Sequence, residues 1–230
     1  MLPKTEKYLN NLDYGLYEPV KWFRMITERQ LEIFEVFARN PFAEFTRKQI
    51  KKESKERSNN TLALTINLLK REEVLTEKKI GKSGLLTLNT NNDLTFYYIA
   101  LCNNIRIGNT TKIAVARVRD EIGLITKFYS IVIFGSYAIG EQKQTSDLDI
   151  AIFIDGEEKR KRIEAAVNNA KLKSPVEMDA HIIPKAQMIE MLTNDEENLG
   201  KQIARKHLAV HNHLIFYEII KEGMKHGFRA

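Results

Sequence analysis

Two apolar runs in the second half of the chain limit most sharply what it can fold into. The first, Ile131-Val132-Ile133-Phe134, stops in Gly135-Ser136. The second, Leu148 to Phe153, opens on two aspartates one residue apart, Asp147 and Asp149. Short isoleucine-rich runs bounded by glycine and polar residues read as strands. Glycine at a strand end has no Cβ, so an anion can approach the backbone. A short helix opening at Ser136 turns free N–H groups and the positive end of its dipole toward a phosphate. In the second run Leu148, Ile150, Ile152 and Ile154 alternate with Asp149, Ala151 and Phe153, so the two sets take opposite faces. With Leu148 in the core, both carboxylates are expected to face outward together. Close carboxylates repel unless a cation sits between them. Mg²⁺ suits such a site, being held by one or two carboxylates plus substrate phosphates. Ser-Asp pairs are also common in turns. The acid pair here follows Ser136 by eleven residues on a separate strand, and the two features together read as a triphosphate and metal site.

A third acid would hold a second metal and accept a proton from an attacking hydroxyl. The run Val176-Glu177-Met178-Asp179-Ala180-His181-Ile182-Ile183 alternates, which puts Glu177, Asp179 and His181 on one face. Asp179 is assigned to the site, Glu177 is the fallback, and His181 is read as a polar neighbour.

Gly135-Ser136 and Asp147-Leu148-Asp149, followed by a later strand acid, resemble the DNA polymerase β-type nucleotidyltransferase superfamily. The nearest likeness is to its small "minimal" members, which carry a Gly-Ser-x-Ala-Arg-Gly…Ser-Asp-x-Asp signature. The resemblance spans roughly residues 111–225. It implies two Mg²⁺ ions bound by Asp147, Asp149 and Asp179, with the triphosphate, ATP as the expected nucleotide, on Gly135 and Ser136. It implies transfer of a nucleoside monophosphate to a hydroxyl with release of pyrophosphate, the two metals stabilising the attacking and leaving oxygens. It also suggests a helical HEPN-type protein partner. One position departs from the pattern: Ile139 stands where the family often has arginine, which puts turnover in question. Lys143 lies nearby in a polar run.

The first half has a different character. Residues 1–110 hold 18 Lys+Arg against 13 Asp+Glu, a net of +5, whereas residues 111–230 hold 18 against 17. The chain's formal charge of +6 therefore sits mainly in its first half. Thr27 and Thr46 are placed to cap helices, and a third helix is expected from about Asn60 to Glu73. Val74–Ile80 and Leu85–Asn89, around Gly81-Lys82-Ser83-Gly84, predict a β-hairpin. Six cations, Arg47, Lys48, Lys51, Lys52, Lys55 and Arg57, fall within eleven residues, followed by Ser58-Asn59-Asn60-Thr61. Short polar side chains opening a helix can reach phosphates or base edges. This order resembles a winged helix-turn-helix, with Asn60–Arg71 as recognition helix and Val74–Asn89 as wing. The resemblance implies duplex DNA as partner, contacted by Lys48, Lys51, Lys52, Arg57, Ser58, Asn59, Asn60 and Thr61, with Lys78, Lys79 and Lys82 of the wing facing phosphates. It also implies a homodimer on paired half-sites. Winged helices serve as protein-docking modules too, and lysine-rich faces are often only solvated.

Helices are further expected over 93–106 and 111–128. From residue 130 strands (131–134, 148–154, 176–183) alternate with helices (157–171, 184–192, 196–205, 213–225), a pattern that calls for a small mixed sheet. The fold class is α+β in two domains: an arm over 1–21, a winged-helix domain over 22–106, and a nucleotidyltransferase-like domain over 107–230 with flanking helices. Cys102 is the one cysteine, which rules out an internal disulfide and fits a buried small side chain. His207, His211 and His213 do not have convincing metal-ligand spacing and suggest packing. There is no signal-peptide apolar region at the start and no apolar run of ~18–20 residues, so a cytoplasmic protein without a membrane span is expected. The competing reading is a DNA-binding transcriptional regulator or antitoxin whose second domain senses nucleotide or is catalytically weak.

Overall fold

The computed structural model describes residues 26–81 and 83–229. The arm expected over 1–21, the start of the 22–106 domain and Lys82 lie outside the described residues.

The first half builds in the expected order. Helix α1 (Glu28–Arg39) opens on a capping box: Thr27 accepts from the Gln30 N–H, and the Gln30 side chain accepts from the Thr27 N–H at 2.9 Å. The short strand β1 (Phe45–Thr46) leads into α2 (Arg47–Glu53), where Thr46 and Gln49 repeat the device. Helix α3 (Asn59–Arg71) is capped by Ser58, which accepts from the Thr61 N–H at 3.2 Å. Strands β2 (Leu75–Ile80) and β3 (Ser83–Leu88) form the hairpin, with Ile80 opposite Ser83 and Gly81 at φ +58°. The turn is tighter than the sequence suggests: Ser83 and Gly84 belong to the strand. β1 joins on the far side, giving the antiparallel order β1-β3-β2.

Two helices, α4 (Asp93–Arg106) and α5 (Asn109–Gly123), lead to the second sheet. Its elements are β4 (Tyr129–Ile133), α6 (Gly135–Ile139), β5 (Leu148–Ile154), α7 (Arg160–Leu172), β6 (Met178–Pro184), α8 (Lys185–Thr193), α9 (Leu199–Arg205), β7 (Leu208–His211) and α10 (His213–Lys225). The strand order is β6-β5-β4-β7, with β5/β6 parallel and the other two pairs antiparallel. The sheet is mixed, as the strand–helix alternation predicts. Strand β7 is a finding, because the tail reads as helical in sequence. Four residues flanked by histidines carry little periodic signal, and their pairing with β4 about 80 residues away is a tertiary choice.

Both faces of the sheet are covered. Ile131, Ile133, Leu148, Ile150, Ile152 and Ile154 pack with Ala114, Val118 and Ile122 of α5 and Ile163 and Val167 of α7. The opposite face, with Val132, Ala151, Phe153 and Ile183, packs under Met188 of α8 and Phe216 and Ile220 of α10. This corrects the outward-facing side expected for Asp149: beyond the aspartate, its face of β5 is interior. The second core continues through Phe96 and Ile99 of α4 into Phe34, Phe37, Ile50, Ile66 and Leu69, so the helices of the first half share a core with the sheet. Among the described residues no helix is long and apolar enough to cross a membrane.

Candidate active site

The site gathers where β4 ends and β5 and β6 begin. The antiparallel register places Ile133 opposite Ile150, and the Phe134 N–H donates to the Asp149 carbonyl at 3.1 Å. Gly135 follows at once, with φ +64°. That conformation suits glycine, and there is a second reason for it here. A Cβ on Gly135 would overlap the Asp149 Oδ2 and lie 3.0 Å from its Cγ. The missing side chain leaves the space that the carboxylate occupies. Helix α6 starts at Gly135, and Ser136 is half-buried in its first turn. Among the described residues no protein group hydrogen-bonds the Ser136 hydroxyl.

Asp149 and Asp179 are register partners on the parallel strands β5 and β6, and the Leu148 N–H donates to the Glu177 carbonyl just before them at 2.9 Å. Asp147 is exposed in the turn preceding β5. Burial pushes the Asp149 carboxyl up from its ordinary value, the Asp179 and Asp147 charges add to this, and His181 opposes it. A carboxylate whose charge is disfavoured by burial and by two neighbouring acids is one that a cation would relieve. Its side chain has no hydrogen-bond partner among the described residues. His181 is tied to Asp179, Nε2 to Oδ2 at 3.2 Å, and its ring lies 5.7 Å from that of Phe134. Glu177, the fallback acid, is exposed and sits one residue outside β6. Among the described residues no three His, Cys, Asp or Glu side chains close on a metal position as they stand.

The loop from α6 to β5 is held by its own backbone. Gly140, at φ +78°, ends α6. The Lys143 N–H donates to the Ser146 hydroxyl at 2.9 Å, and the Tyr137 hydroxyl donates to the Ser146 carbonyl at 3.4 Å. Lys143 is exposed, and Ile139 is 41% exposed. One functional candidate has no signature in the sequence. Arg106, at the end of α4, donates from Nη2 to the Ala138 carbonyl of α6 at 2.8 Å. Its only sequence signal is a cation closing an otherwise mostly apolar helix.

The candidate DNA-contacting residues of the first half lie on α2, the α2–α3 turn, α3 and β2. Lys48, Lys52, Arg57, Asn59, Asn60, Lys78 and Lys79 are exposed; Lys51, Ser58 and Thr61 are half-buried. Lys51 donates to the Asn59 Oδ1, and the Ser58 hydroxyl serves as helix cap. Arg47 and Lys70 both pair with Glu77. The sequence reading also missed the outer face of α3 beyond its first turn: Leu64 is 58% exposed there, with Asn67 and Arg71 at the following turns. Behind these helices Glu56 is buried, accepting from Arg29 at 2.7 and 2.8 Å and from the Ser58 N–H at 2.6 Å. These bonds hold its carboxyl down to about 2 and fasten the α2–α3 turn to α1.

The family described as "nucleotidyltransferase domain" matches residues 116–225, from the middle of α5 to the end of α10. That span contains Gly135, Ser136, Asp147, Asp149 and Asp179. It supports the nucleotidyltransferase superfamily for this half of the chain, and with it a transferase acting on a nucleoside triphosphate. No curated protein and no solved structure matches the chain.

Proposed function

We propose that the protein transfers a nucleoside monophosphate, from ATP in the first instance, to a hydroxyl acceptor by two-metal catalysis. In this reading residues 107–230 are the catalytic domain and residues 22–106 a winged-helix domain that binds duplex DNA. The observation that carries the reading is the fit of Gly135 against Asp149, with Asp179 beside it in register. A glycine with no room for a side chain brings a phosphate-binding turn directly against a carboxyl whose pKa is raised by burial and by its acidic neighbours.

The donor set fits Mg²⁺, because it offers carboxylate oxygens only and one of them is half-buried and unpaired. Asp147, Asp149 and Asp179 would hold the metal, which supplies positive charge to the phosphate oxygens and to the attacking and leaving oxygens. Gly135 and Ser136 hold the triphosphate through backbone N–H groups and the Ser136 hydroxyl. The acceptor oxygen bonds to the α-phosphorus as the bond to the β-phosphate oxygen breaks, and pyrophosphate leaves. The exposed Asp179 accepts the acceptor's proton, with His181 orienting that carboxyl.

DNA binding is supported by the exposed cations of α2 and by the polar opening of α3. A second reading, a regulator that binds nucleotide without turnover, is favoured by the exposed Ile139, which brings no cation to the site. Incubation with each labelled triphosphate, Mg²⁺ and cell extract separates the two. A labelled acceptor formed by the wild type and lost in Asp147→Ala and Asp149→Ala is the expected result. Calorimetric binding of Mg-ATP with no transferred label selects the regulator, and absence of binding removes both.

A further inference from the structure

Helix α6 has five residues, too few to satisfy its own ends. The Ser136 carbonyl takes the N–H groups of Gly140 and Glu141. The carbonyl of the buried Ala138 takes its donor from outside: the Arg106 guanidinium, 2.8 Å away and 32 residues back in the chain. Arg106 closes α4, the helix whose Phe96 and Ile99 lie in the core shared with the first half. Its side chain is only 20% exposed, and its Nε faces the Glu35 Oε1 of α1 at 3.7 Å. Arg39 holds the same Glu35 oxygen at 2.8 Å. A guanidinium presents its donors in a rigid plane, so this bond sets direction as well as distance. It is also a cation at the C-terminal end of a helix, where the dipole favours one.

One turn away on the same short helix stands Gly135, with no clearance for a methyl group over Asp149. A helix this short moves as one piece, so a hold on Ala138 sets where Gly135 and Ser136 stand. We propose that Arg106 is the positioning residue of the phosphate-binding turn: it anchors α6 from α4 and keeps Gly135 and Ser136 in register with Asp149. The cation absent at Ile139 is in effect supplied to the neighbouring carbonyl by a side chain from the other half of the chain. The role rests on the nucleotide reading above, while the anchoring does not.

The test uses the full chain as wild type, Arg106→Gln and Arg106→Lys, with two measurements. Amide hydrogen exchange without ligand reads the anchoring: in R106Q, the hydrogen-bonded amides of Gly140 and Glu141 exchange at least tenfold faster, while β5 amides and the melting temperature hold. Calorimetry with Mg-ATP reads the consequence: affinity falls at least tenfold in R106Q and by less in R106K, which keeps a cation and one donor. Unchanged exchange at Gly140 and Glu141 overturns the proposal whatever the nucleotide data. So does unchanged affinity in R106Q beside a wild type that binds. Faster exchange together with a wild type that binds no Mg-ATP upholds the anchor and removes the nucleotide reading instead. If R106Q does not fold, Arg106→Met, which keeps the apolar stem and removes the donors, decides on the same exchange criterion.

Discussion

Gly135→Ala tests the centre of the argument, and Gly140→Ala supplies its control. Both glycines have positive φ, +64° and +78°, and both belong to α6 or its end. An alanine in that backbone region costs about 1 kcal/mol. At Gly140 nothing lies within 4 Å of the added Cβ, so this is the whole effect. At Gly135 the Cβ meets the Asp149 carboxylate, with Cγ at 3.0 Å and Cβ at 3.4 Å. The Asp149 side chain must leave its rotamer, which adds roughly 1 kcal/mol. The expected losses are therefore about 2 kcal/mol for G135A and about 1 kcal/mol for G140A, read by urea unfolding followed by circular dichroism. The functional difference is larger. A displacement of about 1 Å in a positioned group can cost on the order of 100-fold, so G135A is expected to lose Mg-ATP binding in calorimetry, whereas G140A keeps it within a few-fold. Equal stability losses in the two variants, together with equal nucleotide affinities, would refute the claim that the glycine exists to admit the carboxylate.

Three further outcomes follow from the charges. His207 is buried with Nδ1 3.1 Å from the Ile203 and Ala204 carbonyls, which require a proton there, and its Nε2 accepts from the Tyr217 hydroxyl at 3.1 Å. Burial lowers it from 6.5 to about 4. The unfolded chain therefore takes up the proton first, and stability, full above pH 6.5, falls by about 3 kcal/mol as pH drops through 4. His207→Gln should flatten that slope in urea titrations at pH 7.5 and 4.5, and parallel slopes would contradict the assignment. Asp149, raised by burial and two acids, is a repulsive charge in the metal-free protein. Asp149→Asn is expected to raise the melting temperature in chelator and to abolish the Mg²⁺-dependent rise expected of wild type, and a lower melting temperature in chelator counts against the repulsion. Finally, duplex DNA affinity in gel shifts should fall steeply with salt and weaken in Lys48→Ala, Lys52→Ala and Arg57→Ala; a salt-independent or absent shift rejects DNA as the partner of the first half.

Much of the candidate site is legible because its residues carry local signals. Gly135-Ser136 after one apolar run and Asp147-x-Asp149 before another were readable from backbone rules alone, and the alternation around Asp179 pointed to its face. Register then made Asp149 and Asp179 direct neighbours, which spacing along the chain cannot state. Two helices of the first half were equally plain because Thr27 and Thr46 are short-range caps, whereas the Ser58 cap of α3 is a finding of the structure. The misreadings share a cause. Strand β7, the interior face that carries Asp149 and the hold of Arg106 leave no local signal, since each depends on what packs there from elsewhere in the chain.

By itself the sequence determined most of the element types, the α+β class and a candidate residue set for phosphate and a divalent cation, because periodicity, capping and turn chemistry act over a few residues. Tertiary structure alone decided the strand order, the core joining the two halves, the closeness of Gly135 to Asp149 and the hold of Arg106 on α6. These are contacts between segments tens of residues apart, selected by which apolar faces can be buried together, and no local pattern encodes them.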